Sequence, residues 1–346
     1  MKKIRVAING FGRIGRLFLR QVIESPEIEV VAINDLGSVE NLAYLLEYDS
    51  VYHRFPATIK AKLALGKNRL VVGGKDIIML QEKDPAKLPW GDLRIDVAIE
   101  STGFFEEYAA ARAHRTAGAK HVVISAPAKD NDGPSGKTVL VGVNDDESLD
   151  GVSITSNGSC TTNAASPVIT IMSEKLGIKK AILNTVHGYT ATQNLNDGPT
   201  KGKDFRRGRS AGLNIVPSTT GAAISVTRAL PNLADKFDGI AFRVPVAAGS
   251  VADITFIAKR KTSVAEVNAI FKKAATEARW KGILKVTEDQ IVSSDIIGQP
   301  YGAIVDLNFT KVVDGDLVKV ISWYDNEWGY VSTLVRHVQV IGKLLG

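Results

Sequence analysis

IRVAINGFGRIGR, residues 4–16, is the stretch on which the fold of this 346-residue chain turns. IRVAIN is apolar and β-branched with little alternation, as in a strand covered on both faces, and it leads directly into Gly10, Gly12 and Gly15. Leu17, Leu19, Val22 and Ile23 continue at helical spacing, and a second buried strand, IEVVAIND, ends on Asp35, twenty residues after Gly15. Strand, glycine turn, helix, strand and terminal acid form one βαβ unit, the start of a doubly wound parallel sheet. In such a turn Gly10 permits the tight bend, Gly12 lets backbone amides approach a pyrophosphate, and Gly15 lets helix and strand pack closely, with the helix N-terminus favouring the anion. Asp35 would accept hydrogen bonds from a ribose 2′-hydroxyl and repel a 2′-phosphate, so the expected cofactor is NAD rather than NADP.

Working outward, ATIKAKLAL and NRLVVGGKDIIML, within 57–80, predict short antiparallel hairpin strands turning at Gly73 and Gly74. The βα alternation resumes with IDVAIEST (95–102), a helix around EEYAAARAHRTAG, HVVISAP (121–127) and TVLVGVN (138–144). The second half predicts a helix over roughly 160–176, a strand IKKAILNTVHG, and a helix opening at Ser263 with Glu266 as the partner of a capping box. Strands YGAIVDLNFTKVV and LVKVISWYD flank an Asp314-Gly315 turn, and the tail GYVSTLVRHVQVIGKLL has helical spacing. The expected fold class is an α/β Rossmann-type dinucleotide-binding domain, 1–158, plus an α+β catalytic domain with a mainly antiparallel sheet, 159–328. A C-terminal helix of about 329–346 is expected to dock back on the first domain.

A formal charge of +6 and a pI of about 9.2 favour anionic ligands such as phosphates. The densest basic run, KGKDFRRGR (201–209), is not interleaved with aromatics as a nucleic-acid channel is, so it reads as a small-anion site or a solvated loop. Nucleic acid is not the expected primary partner. One cysteine cannot form an internal disulfide, the N-terminus lacks a secretory apolar core, and no apolar run approaches the ~18 residues of a membrane span. The expected setting is cytoplasmic, with no membrane association.

That single cysteine lies in SNGSCTTNAASP, residues 156–167. A buried free thiol ordinarily behaves as a small hydrophobe. Ser159, Thr161, Thr162 and Asn163 are polar, however, and a thiol at a helix N-terminus is placed to become a low-pKa thiolate beside amides that can hold an oxyanion. Such a nucleophile needs a base. Of the five histidines, His114 and His337 lie in helical patterns read as surface, His121 begins a strand, and His53 lies in a loop. His187 ends the strand that follows the Cys160 helix and is the candidate, although spacing alone leaves their adjacency open.

NGFGRIGR, INDL, YDSV, ESTGFF, SCTTN, HGYTATQ, STTGAA, FRVP and WYDNEWGY occur in order across nearly the whole chain. Together they resemble the phosphorylating glyceraldehyde-3-phosphate dehydrogenases. The resemblance implies that His187 takes the Cys160 proton, that Cys160 attacks the aldehyde of D-glyceraldehyde 3-phosphate, and that hydride passes to NAD. It further implies that inorganic phosphate resolves the thioacyl enzyme to 1,3-bisphosphoglycerate, a step of glycolysis and gluconeogenesis. By the same resemblance Thr190 and Arg243 match substrate-phosphate positions, and Ser159, Thr161, Thr220, Gly221 and Arg207 match those around the attacking phosphate. Gly10, Gly12, Arg13, Ile14, Gly15, Asp35, Ser125 and Asn326 match cofactor positions, with Lys83 where an arginine often flanks the adenine. A homotetramer is implied, and no metal.

The chain departs from the family pattern at Ala164, where a second cysteine is common, at Gly188, where serine is usual, and in VAAGSVAD after Pro245. Leu36 and Pro199 resemble NAD-preferring members. Two other readings are open: an erythrose-4-phosphate dehydrogenase, against which TATQ speaks, and an NAD-dependent RNA-binding or regulatory protein.

Overall fold

The first glycine turn works by close approach. In the computed structural model, which describes residues 2–64, 67–145, 149, 151–200 and 202–345, a Cβ on Gly15 would sit on the carbonyl oxygen of Gly10 and against Ile8. Leu65, Lys201 and Gly346, named in the strand, basic run and tail above, lie outside the described residues. The chain divides into two units, Met1–Val139 with Asp145–Gly158 and Leu334–Gly346, and Leu140–Asn144 with Ser159–Thr333.

The first unit holds β1 (Ile4–Asn9), α1 (Arg13–Val22), β2 (Ile28–Asn34), α2 (Val39–Glu47), β3 (Ile59–Lys62), β4 (Arg69–Val72) and β5 (Lys75–Leu80). It continues with β6 (Val97–Glu100), α3 (Tyr108–Thr116), β7 (His121–Ile124), β8 (Lys137–Thr138) and β9 (Ile154–Ser156). Among the described residues these strands form one sheet ordered β3-β4-β5-β2-β1-β6-β7-β9-β8. Val6, Ala7 and Ile8 of the central β1 have no exposed surface, which is why that strand reads as a continuous apolar run. β3, β4 and β5 form the antiparallel insertion, and β5 rejoins the sheet parallel to β2.

Two readings need correction. TVLVGVN is not a strand beyond Thr138: Leu140–Asn144 turns and clusters with the second unit, where Val141 and Val143 pack on its core. α2, capped by Ser38, which accepts from the Asn41 amide, was not among the elements expected above, although Val39, Leu42, Ala43 and Leu46 are buried at helical spacing. His114 and His337 are fully buried rather than surface residues, because each imidazole lies on the covered face of its helix with polar partners. His121 Nε2 and His337 Nε2 both lie 3.0 Å from Thr155 Oγ1, and His337 Nδ1 is 3.1 Å from Asn157 Oδ1.

The second unit holds α4 (Cys160–Lys175), β10 (Ile178–Gly188), β11 (Val216–Thr219), α5 (Ala222–Ala229), β12 (Phe237–Val244), β13 (Ser250–Ala258) and α6 (Val264–Ala274). Then come β14 (Leu284–Thr287), β15 (Ala303–Val313) and β16 (Leu317–Tyr324), while α7 (Trp328–Leu345) starts here and contributes its residues from Leu334 to the first unit. The sheet runs β11-β12-β10-β13-β16-β15-β14, antiparallel except for β12 with β10 and β15 with β14. β13 alternates strictly, burying Ala252, Ile254 and Phe256 in a core shared with α4, α5 and α6. At α6 only half of the expected capping box forms. Ser263 accepts from the Glu266 amide, but the Glu266 carboxylate is taken by Arg260 and Thr262.

Gly15→Ala is expected to lower the thermal midpoint by the equivalent of about 1–3 kcal/mol of overpacking. Gly12→Ala, where an added Cβ meets nothing within 4 Å, should leave the midpoint unchanged while weakening NAD; equal midpoints for the two would refute this account of the turn. Burial, with the charge of Arg115 at His121 and the neighbouring His121 at His337, lowers both imidazoles from 6.5 to about 3. The unfolded chain therefore binds more protons between these values, and stability is complete above about pH 6.5 and falls as pH drops toward 3. Melting curves from pH 7.5 to 5 should show this loss, and His121→Gln should reduce it without abolishing it, since His337 remains.

Candidate active site

Cys160 is the first residue of the sixteen-residue α4, so the backbone amides of Cys160 and Thr161, which open the helix, lie at its thiol. The helix starts here because Ser159 and Thr162 form a full capping box: Ser159 Oγ accepts from the Thr162 amide at 3.0 Å, and Thr162 Oγ1 accepts from the Ser159 amide at 3.1 Å. β10 and β12 run parallel with His187 opposite Arg243, so both side chains reach the same rim. Cys160 Sγ lies 3.3 Å from His187 Nε2, and His187 Nδ1 lies 2.6 Å from the Gly188 carbonyl oxygen and 2.7 Å from Arg243 Nη1. Nδ1 thus faces both an acceptor, the Gly188 carbonyl, and an obligatory donor, Arg243; the tautomer that donates Nδ1–H to Gly188 is the one that leaves Nε2 as the acceptor a base for the thiol requires.

Tyr324 completes the floor of this site. Its hydroxyl bridges Thr161 Oγ1 at 2.8 Å and Thr185 Oγ1 at 2.7 Å, and its ring meets the His187 imidazole edge-on with centroids 5.9 Å apart. The sequence reading missed Tyr324, although it belongs to the WYDNEWGY run. In the basic run, Arg206 and Arg209 pair with Asp204 and Asp197. Arg207 instead donates to Thr192 Oγ1 at 3.0 Å and Ser218 Oγ at 2.7 Å, and Thr192 Oγ1 lies 2.9 Å from Thr190 Oγ1. Thr192 and Ser218 thus join Thr190 and Arg207 in a hydroxyl-lined basic group that the spacing did not reveal. Thr220 Oγ1 accepts from the Ala222 amide, and Gly221 caps α5.

In the first unit a cavity of about 530 Å³ is lined by residues including Gly10, Gly12, Asp35, Lys83, Thr102 and Phe104. The two Asp35 carboxylate oxygens accept from the Phe11 and Gly37 amides at 2.7 and 2.9 Å, so this acid also braces the glycine turn. The open space at Gly12, the helix N-terminus beside it and the acid at the next strand end fit a dinucleotide. Arg13 turns its guanidinium to Asp49 and Tyr52, leaving its backbone, next to Ile14, at the helix start. Ser125 donates from both its hydroxyl and its amide to the Glu100 carbonyl. Within the second unit, Asn326 Oδ1 accepts from the Gly249 amide and Ser250 Oγ, tying it to the VAAGSVAD segment.

Two family models match the chain: "Glyceraldehyde 3-phosphate dehydrogenase, NAD binding domain" over residues 4–108 and "Glyceraldehyde 3-phosphate dehydrogenase, C-terminal domain" over residues 159–326. The chain belongs to the glyceraldehyde 3-phosphate dehydrogenase family. Among curated relatives of that name, one from Mycobacterium avium is 49% identical over 99% of both chains. Another, from Clostridium pasteurianum, is 47% identical over 98% of this chain and 99% of its own.

Two of the departures from the family pattern meet each other. A Cβ on Gly188 would come within 3.0 Å of the Val246 carbonyl oxygen and 3.4 Å of Ala248, while the Tyr189 amide donates to that same carbonyl at 3.0 Å. The missing side chain at Gly188 lets the VAAGSVAD loop close on the end of β10. Ala164 is fully buried in the core below the first turn of α4.

Electrostatics overturn the expectation of a low-pKa thiolate. Cys160 keeps some exposed surface, yet protein atoms crowd its sulfur and this burial pushes the thiol up; the charge of Arg243 and hydrogen bonds at Thr161 oppose the shift without cancelling it. Burial, then the charge of Arg243, lowers His187 to about 3, against a smaller opposing effect of the Gly188 carbonyl. Both directions favour the uncharged pair, thiol and neutral imidazole. Replacing Arg243 by Leu removes the main charge favouring the thiolate, so iodoacetamide alkylation of Cys160 should follow pH along a curve displaced to the alkaline side. At pH 7 the rate should fall about threefold or more. An unshifted curve would show that Arg243 does not tune the thiol.

Proposed function

We propose that the chain is an NAD-dependent phosphorylating glyceraldehyde-3-phosphate dehydrogenase that converts D-glyceraldehyde 3-phosphate to 1,3-bisphosphoglycerate through a thioacyl Cys160. The observation that carries the detailed reading is the 3.3 Å approach of Cys160 Sγ to His187 Nε2, with Arg243 behind the imidazole. His187 Nε2 takes the thiol proton as sulfur bonds to the aldehyde carbon, and the carbonyl electron pair moves to oxygen, where the α4 amides and the resulting imidazolium hold the charge. Neutral starting partners suit this transfer, since the ion pair is needed only as the carbon–sulfur bond forms. When bound between residues such as Gly12, Asp35 and Lys83, NAD supplies the acceptor for the hydride that the hemithioacetal carbon loses. A phosphate oxygen then attacks the thioester carbon and Cys160 leaves as thiolate, to be reprotonated from His187.

Arg243 and Thr190 are assigned to the substrate phosphate, and Arg207, Ser159, Thr161, Thr220 and Gly221 to the attacking one. Arg207 supports this by reaching hydroxyls where its neighbours reach carboxylates. Residues 1–158 with the helix from about 329 are assigned to the cofactor and 159–328 to the chemistry. A homotetramer accords with the uncovered face of the second sheet, where Ile182, Ile240 and Phe309 are each about half exposed (58%, 48% and 54%). No helix among the described residues is long and apolar enough to cross a membrane, and a free catalytic thiol suits a reducing, cytoplasmic setting.

NADH absorbance with glyceraldehyde 3-phosphate and NAD should rise rapidly only when inorganic phosphate is present. Cys160→Ser should abolish turnover, and His187→Asn should lower it about 10²–10⁴-fold. Turnover indifferent to phosphate, with a carboxylic acid as product, would instead favour the hydrolytic erythrose-4-phosphate type. Size-exclusion chromatography with light scattering should give a tetramer that Ile182→Lys with Ile240→Lys dissociates.

A further inference from the structure

Glu100 ends the central strand β6, is 2% exposed, and does not line the dinucleotide cavity. Its carboxylate nevertheless receives four hydrogen bonds. Oε2 accepts from Asn9 Nδ2 at 2.6 Å and lies 3.0 Å from His114 Nε2, while Oε1 accepts from the Thr102 amide at 2.8 Å and from the Thr102 hydroxyl. No lysine or arginine pairs with it among the described ion pairs; its one titratable partner there is His114.

The direction of these bonds is set from a distance by groups that can only donate. The Glu82 amide donates to Asn34 Oδ1 at 2.8 Å, so Asn34 Nδ2 must donate onward, to Asn9 Oδ1 at 2.7 Å, and Asn9 Nδ2 in turn donates to Glu100. On the other side the Trp90 indole N–H donates to His114 Nδ1 at 3.0 Å, which leaves the imidazole proton on Nε2, facing Glu100. Two one-way chains and the Thr102 amide therefore converge on a group that must accept from all sides. An ionised carboxylate meets that demand. The chains link Asn9, Asn34, Glu82 and Thr102, which all line the cavity, and the Thr102 hydroxyl also accepts from the Phe104 amide.

We propose that Glu100 is a positioning residue for the cofactor: its buried negative charge terminates these chains and holds the ends of β1, β2 and β6 and the segment after β5 in the shape that receives NAD. This rests on the NAD-dependent reading above. The charge itself can only disfavour a pyrophosphate, so its benefit is geometric, and this gives the test a sign. Glu100→Gln removes the charge, but its NH₂ must face either the Thr102 amide or the Asn9 and His114 donors, an unsatisfied donor–donor contact in either orientation.

NAD binding is measured by calorimetry and by the rise in thermal midpoint at fixed NAD, beside steady-state kinetics. For Glu100→Gln we expect Kd and KM for NAD to rise about tenfold or more, the NAD-induced midpoint rise to shrink, and kcat at saturating NAD to stay within about twofold. Trp90→Phe, which removes a donor distant from the cavity, should raise Kd about threefold in the same manner. A Glu100→Gln Kd within twofold of wild type or tighter, or a loss of kcat and apo stability at unchanged Kd, overturns the proposal. If Glu100→Gln does not fold, Trp90→Phe decides, and an unchanged Kd overturns it. Failure of the wild-type protein to bind NAD would instead overturn the functional reading on which the proposal rests.

Discussion

Parallel pairing brings neighbouring strand ends to one rim, and both candidate sites depend on it. In the first sheet, β2, β1 and β6 are parallel, so Asn34, Asn9 and Glu100 finish side by side, with the glycine turn and α1 starting at that rim. In the second sheet, which is mostly antiparallel, the parallel register of β10 with β12 sets His187 beside Arg243. An antiparallel neighbour in the place of β12 would present its opposite end there. Because the rim is also where helices begin, each site gains free amides suited to anions.

Burial then decides the charge state of what the rims hold. At Cys160, desolvation outweighs an arginine and local hydrogen bonds, which favours the uncharged thiol and imidazole. At Glu100, hydrogen-bond directionality leaves room only for an acceptor. The contrast is between a site whose proposed reaction changes its charge and one whose proposed role is to keep its shape. Tyr324 bridges Thr161 of α4 and Thr185 of β10, which holds Cys160 and His187 on a common support.

The departures from the family pattern are local and mutually adjusted. Gly188 leaves the space into which the Val246 and Ala248 backbone closes, and Asn326 grips the same segment through Gly249 and Ser250. The end of β10 thus keeps His187 and Arg243 together although the loop beside them differs in sequence.

The glycine turn, the strand-end acid, the buried central strands and the polar setting of Cys160 were legible in the sequence, because each follows from local rules: backbone reach, periodicity and helix-end chemistry. The sequence by itself therefore determined the dinucleotide-binding half and the identity of the candidate nucleophile. It could not determine the partners of that nucleophile, since pairing of β10 with β12 joins residues more than fifty apart. Nor could it show that His114 and His337 are buried, because helical spacing marks a face without saying what covers it. Thr192, Ser218 and Tyr324 escaped for the same reason: a hydroxyl's role is set by what folds against it. Tertiary structure alone decided the charge state of Cys160 and the convergence on Glu100, because desolvation and hydrogen-bond direction are properties of an assembled environment.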